Sequence, residues 1–240
     1  KVFKKISNSF FKKSKYYKKI QHRLTWYYQQ ILKLSFIIDF VNKKNENIII
    51  WDADTIIIKK IKFFNKKKSV KYGNTSYFHK AYYHTNKTIL KELPKYYISS
   101  LSQFVNLSTL DQKFLKKKLK IDQLKGNPSF SISKTVMRAV RDTHKIYNGS
   151  MFSEYELVGQ SNLLLEYSKQ KLISGIRDWL DGVLTNNQIY LLKILDFKYI
   201  AYEHTHPNYL SKNMLNRKQT WSRFLYIVIK KLSNNFFRGI

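Results

Sequence analysis

Two aspartates one residue apart, Asp52 and Asp54, sit between two β-branched runs, Ile48 to Ile50 and Thr55 to Ile58. Carboxylates at this spacing can offer hard oxygen ligands to Mg²⁺ or Mn²⁺, and such a cation can bridge a diphosphate. Short apolar runs bounded by polar residues predict buried strands that pair around the aspartates. In open α/β sheets ligands collect at the carboxyl ends of strands, and burying Asp52 there without a partner would be costly. The same spacing also suits a strand-to-turn connection in which either aspartate bonds the local backbone. Both readings stand at this point.

A second constellation lies at Met151 to Gly159, which reads Met-Phe-Ser-Glu-Tyr-Glu-Leu-Val-Gly. Ser153 and Glu156 have the Ser-x-x-Glu spacing of a helix capping box, which occupies Glu156 at the helix start. Glu154 then holds the first helical position. Acids are favoured there by the helix dipole alone, and a carboxylate so placed can equally orient or deprotonate an acceptor hydroxyl. Glu154 and Glu156 are the candidate catalytic carboxylates.

The elements that must position these groups are readable in part. From about His22 to Phe40, Leu24, Tyr27, Tyr28, Ile31, Leu34 and Ile38 recur at three- and four-residue steps, predicting a helix. Trp26, Gln30 and Lys33 share another of its faces. Asn65 to Lys71 reads as a charged turn and Tyr72 to Asn86 as loop with a short strand near Tyr77. Pro94 keeps any helix over Ile89 to Tyr97 short. Thr109 and Gln112 suggest a capping box opening a helix to Leu119. Gly126-Asn127-Pro128 predicts a turn, followed by a strand at Phe130 to Ile132 and a helix over Lys134 to His144. Lys198 to Tyr202 predicts a strand. The expected organisation is a basic arm or partial helix at 1–21, a catalytic domain at 22–215 and a basic amphipathic helix at 216–240.

With 240 residues, 43% of them apolar and 16% aromatic, the chain can build one sizeable core. Lys and Arg number 45 against 15 Asp and Glu, a formal charge of +30. So basic a chain attracts anions: nucleic acid, anionic lipid or phosphorylated small molecules. The bias toward Lys, Asn, Ile and Tyr also fits an AT-rich coding sequence, which makes part of that charge compositional. Having no cysteine excludes disulfides, thiolate zinc sites and cysteine nucleophiles. No apolar run approaches the roughly 18 residues that suggest a membrane span, and no signal-peptide pattern opens the chain. It begins with Lys1, so it is expected to be part of a longer protein. The expected location is the cytoplasm, with a peripheral seat on the inner membrane face as a further option.

Three segments in order carry a resemblance: Trp-Tyr-Tyr-Gln-Gln-Ile-Leu-Lys-Leu (Trp26 to Leu34), Trp-Asp-Ala-Asp-Thr (Trp51 to Thr55) and Phe-Ser-Glu-Tyr-Glu (Phe152 to Glu156). Together, over roughly Arg23 to Gly159, the chain resembles the DUF6492 family of bacterial glycosyltransferase-like proteins, which are similar to GT-A nucleotide-sugar transferases. The resemblance implies an α/β fold, a GT-A-like mixed sheet flanked by helices. GT-A domains place their first nucleotide-binding strands before the Asp-x-Asp, and this chain has too few residues there, so either the N-terminal portion is missing or the fold is abbreviated. The resemblance also implies that Asp52 and Asp54 hold Mn²⁺ or Mg²⁺ and the donor diphosphate. Trp26, Gln29, Gln30 and Lys33 would lie near the donor, where amides bond hydroxyls and lysine balances phosphate. Glu154 would serve the acceptor. GT-A enzymes often complete the metal shell with a late histidine, for which His204 and His206 are the candidates. The implied partners are a nucleotide-sugar donor and a saccharide or lipid-linked acceptor, with no specific nucleic acid.

Arg217 to Phe237 predicts an amphipathic helix, with Trp221, Phe224, Leu225, Val228 and Leu232 at helical spacing among Arg217, Lys218, Arg223, Lys230 and Lys231. It suits both an anionic membrane surface and packing onto the domain with a solvated basic rim. Two rival functions share these residues. One is a Mg²⁺-dependent nuclease or other phosphoryl-handling enzyme built on Asp52 and Asp54. The other is a non-catalytic nucleic-acid binder using the charge and interleaved tyrosines.

Overall fold

The structure, a computed structural model, describes residues 23–43, 46–66, 68–73, 79–93, 104–123, 126–165, 170–177, 180, 182–202 and 218–236. The 1–21 arm, His204, His206, Pro94 and Arg217 lie outside the described residues.

The chain is mixed α/β. Helix α1 (Leu24–Lys43) covers the first predicted helix, and Tyr27, Ile31, Leu34 and Ile38 form its buried stripe. Tyr28, expected on that stripe, is exposed. Strand β1 (Ile48–Trp51) and strand β2 (Thr55–Ile57) flank the aspartates. They do not pair with each other. The Thr55 N–H donates to the Asp52 carbonyl at 3.0 Å, closing a turn that sends β2 into a different sheet. β1 pairs antiparallel with β6 (Phe104–Leu107). Nor are both strands buried, since Trp51, Ile56 and Ile57 are exposed.

A small hairpin, β3 (Phe64–Asn65) and β4 (Lys68–Ser69), precedes β5 (Lys71–Gly73), which pairs in parallel with β7 (Gln170–Leu172). The stretch expected as loop holds helix α2 (Lys80–Leu90). Its buried face is Ala81, Thr85, Asn86 and Leu90. Two of those four are polar, so no hydrophobic period shows. Thr85 is held by Thr143 at 2.9 Å and by the Met151 carbonyl at 2.6 Å.

Helix α3 (Thr109–Lys118) opens on a capping box one residue earlier than expected, between Ser108 and Asp111. Helix α4 (Pro128–Thr143) contains the helix expected from Lys134 and extends it back over the strand expected at Phe130 to Ile132. Asn127 is its N-cap, accepting from the Phe130 N–H at 3.1 Å, and Pro128 sits in the first turn where its missing N–H costs nothing. Helix α5 (Glu154–Leu163) starts as expected, capped by Ser153.

These helices and β1–β6 enclose a first core around Tyr27, Leu34, Leu107, Val136, Phe152 and Leu157. A second core forms around β8 (Gly175–Ile176), α6 (Asn186–Ile194), β9 (Tyr199–Ala201) and α7 (Trp221–Phe236). Here the sheet order is β2-β9-β8, with β2 antiparallel and β8 parallel to β9. A Cβ on Gly175 would lie 2.1 Å from the Tyr199 ring, so only glycine fits under that ring. Phe104, Ile173 and Tyr199 form a third, smaller cluster, with Phe63 edge-on to Phe104 at 5.2 Å. The described strands thus fall into four small sheets rather than one mixed sheet. Among the described residues, no helix is long and apolar enough to cross a membrane.

Candidate functional site

Three elements converge on one charged cluster: the middle of α1, the β1–β2 turn and the start of α5. Lys33 reaches out from α1 and its ammonium donates to Asp52 Oδ1 in the turn. The same ammonium stands 3.3 Å from Glu154 Oε1 and donates to the Tyr155 hydroxyl at 3.3 Å. Tyr155 in turn donates to Asp52 Oδ1 at 3.0 Å. The Lys33 nitrogen also lies 4.7 Å from the centroid of the Tyr155 ring, within cation–π range. Its partners lie 19 and 122 residues away along the chain.

The electrostatics follow from enclosure. Glu154 is fully buried. Lys33 meets it as a charge contact, and neither carboxylate oxygen accepts a well-aligned hydrogen bond among the described residues. Burial pushes its carboxyl up to about 7, partly offset by the charge of Lys33. For Lys33, burial works against the charged form, but Glu154 and Asp52 outweigh it and hold the ammonium above its ordinary value. Burial and then the charges of Asp52 and Glu154 raise Tyr155, so its hydroxyl stays protonated and acts as a donor. The cluster opens to solvent on the Asp52 side, where that side chain is 29% exposed and Lys33 18%.

Asp54 lies on the outer side of the turn. Partial desolvation and then the charge of Asp52 push its carboxyl up, and the Thr55 hydroxyl donates to it at 3.4 Å. The two aspartates are therefore close enough to repel. A divalent cation fits this pair, because Mg²⁺ commonly takes one or two carboxylates and fills its shell with phosphate oxygens and water. Among the described residues no His, Asp or Glu completes a three-residue metal group.

Other expected site residues stand elsewhere. Gln30 is buried, and its Oε1 accepts the Glu154 N–H at 3.2 Å, satisfying a donor of the first turn of α5. Its Oε1 therefore positions Glu154. Gln29 is exposed. Trp26, nearly two turns before Lys33, stacks on Tyr82 at 6.5 Å and packs against the first core. Glu156 is buried, its backbone N–H donates to the Ser153 hydroxyl at 3.4 Å and its carboxylate accepts from Gln160 at 3.3 Å. That is a role in holding the helix, not in the cluster.

Sequence reasoning missed Tyr155, although it sits inside the Phe-Ser-Glu-Tyr-Glu segment, because only acids were weighed there. It also missed a buried pair between Lys71 and Asp111, 2.8 Å apart, with Ser69 bonded to both. Burial lowers Lys71 to about 8 against the pull of Asp111. No residue type or spacing announces that pair, since it joins β5 to the first turn of α3 across the fold. Comparison of the chain with protein-family models, curated proteins and solved structures gives no match in any of the three.

Proposed function

We propose that this chain is a GT-A-like glycosyltransferase that moves a sugar from a nucleotide-sugar donor to an acceptor hydroxyl in polysaccharide or glycoconjugate synthesis. The observation that carries the reading is the convergence of Lys33, Asp52 and Glu154, with Glu154 raised to about 7. A carboxylate with that proton affinity is matched to general-base work at neutral pH.

Asp52 and Asp54 would hold Mn²⁺ or Mg²⁺, which when bound supplies charge stabilisation to the departing diphosphate. Lys33 balances the charge of two carboxylates in the cluster and, beside Asp52, is placed to balance donor phosphate charge as well. Tyr155 keeps Asp52 oriented throughout, and Gln30 keeps the start of α5 in place.

The deciding experiment is thermal stabilisation and product formation with a panel of nucleotide-sugars, with and without Mn²⁺. Mn²⁺-dependent stabilisation by a nucleoside diphosphate is expected, together with sugar transfer or slow donor hydrolysis. Asp52→Asn and Asp54→Asn should each abolish the Mn²⁺-dependent binding while the fold persists. Wild-type binding in both variants would remove the Asp-x-Asp assignment.

A further inference from the structure

Helix α7 has two apolar faces. Phe224, Ile227 and Val228 are buried in the second core and fix the helix to the domain. Trp221, Leu225, Ile229 and Leu232, spaced four, four and three residues apart, form a second stripe along its length. Those side chains are 47%, 42%, 64% and 38% exposed, and Tyr226 beside them 51%. The buried face already anchors the helix, so the fold itself does not require the second stripe.

The charge that the helix itself carries is of one sign. The helix contains no aspartate or glutamate. The Arg223 guanidinium and the Lys230 ammonium lie 5.6 and 5.8 Å from the Tyr226 ring centroid, cations held at the edge of the apolar face. Lys218, exposed, precedes the helix. A second copy of the chain would bring the same cations and the same +30 to this face, so like charge opposes self-association there. An anionic bilayer complements both properties. Its headgroups attract the cations, its acyl boundary accepts the stripe, and Trp and Tyr favour that boundary. The helix spans about 24 Å at 1.5 Å per residue, and no described helix can cross a bilayer, so the contact lies in the membrane plane.

We infer that the exposed face of α7 docks the protein peripherally on anionic lipid. This does not depend on the transfer reaction. The test is co-sedimentation with phosphatidylcholine vesicles, with and without phosphatidylglycerol, at low and high salt. Binding to the phosphatidylglycerol vesicles alone is expected, weakening as salt rises. The double variant Leu225→Ser with Ile229→Ser should bind about tenfold more weakly, with unchanged circular dichroism and melting temperature. A control pair on other exposed positions, Ile146→Ser with Leu172→Ser, should bind like wild type. Three results would each overturn the inference. One is no binding to anionic vesicles at low salt. Another is binding unchanged in the α7 variant, which would assign it to diffuse charge. The last is a dimer in sedimentation velocity that the α7 pair dissolves while vesicle binding persists.

Discussion

Helices α5 and α7 break the ordinary burial pattern in opposite directions. Every residue of α5 from Glu154 to Asn162 is buried, and Glu154, Glu156, Gln160, Ser161 and Asn162 among them are polar. Both oxygens of Glu154, Oε1 of Gln160 and the side-chain amide of Asn162 lack hydrogen-bond partners among the described residues. α7 instead leaves large apolar side chains in solvent while a different face fills the core. A buried polar group or an exposed apolar patch is the informative departure in a folded chain, because each costs free energy that folding alone does not recover. The difference separates two tasks. α5 holds charge out of water where reactivity can be tuned, and α7 holds apolar surface in water where a boundary can be met.

The largest effect that would break this comparison is on turnover. If α5 carries the base, Glu154→Gln should lower turnover about 10²–10⁴-fold and leave nucleotide binding nearly unchanged. Wild-type turnover should rise with pH through about 7 as Glu154 loses its proton, and the variant should lose that limb. Steady-state rates from pH 5.5 to 8.5 decide it, with retained turnover in the variant reducing α5 to a structural oddity.

The two faces of α7 should differ almost as sharply in stability. Phe224 is fully buried in the second core, so Phe224→Ala should cost about 3–5 kcal/mol. Ile229→Ala, on the exposed face, should stay within about 0.5 kcal/mol of wild type. Urea unfolding of both variants measures the contrast. Equal costs would mean that the exposed stripe is also part of the folded core.

A third effect sharpens the contrast on the α5 side. The Glu154 carboxyl is raised from 4.5 to about 7 in the fold, so the folded state binds the proton more tightly between those values. Stability therefore falls as pH rises through that window and levels off above it. A tenfold change in proton affinity is worth about 1.4 kcal/mol, which gives an expected fall of about 3–4 kcal/mol. Glu154→Gln should remove this component of the profile, measured by urea unfolding at pH 5, 6, 7 and 8.

What could be read beforehand tracks where the information lies. α1, the start of α5 and α7 announced themselves through local apolar periods or a cap. The Asp52–Thr55 turn followed from adjacent residues. α2 did not, because Thr85 and Asn86 on its buried face erase the hydrophobic period. α4 was legible from Lys134 onward, but its first turns were lost to a local ambiguity, since Asn127-Pro128 suits a turn and a helix start equally. The pairing of β1 with β6 rests on contacts far apart along the chain, which no window of sequence contains. The site shows the same division. Asp52, Asp54, Lys33 and Glu154 could be picked out by type, but their meeting could not, and neither could the bond from the Glu154 N–H to Gln30 or the stacking of Trp26 on Tyr82.

The smallest effect tests whether the cap of α5 serves stability or the site. The Ser153 hydroxyl accepts the Glu156 N–H at 3.4 Å, satisfying one donor of the first turn, as Gln30 satisfies the Glu154 N–H. Ser153→Ala removes the first of these and should cost about 0.5–2 kcal/mol. Ser153→Thr retains a capping hydroxyl and should recover most of that loss. Because Gln30 still anchors the Glu154 backbone, the rate limb near pH 7 should persist in the Ala variant. Gln30→Leu should instead displace that limb, since it frees the turn that carries the carboxylate. Melting temperatures and pH–rate profiles of the three variants distinguish these roles. If Ser153→Ala moved the limb and Gln30→Leu did not, the hydroxyl rather than the amide would be what places Glu154.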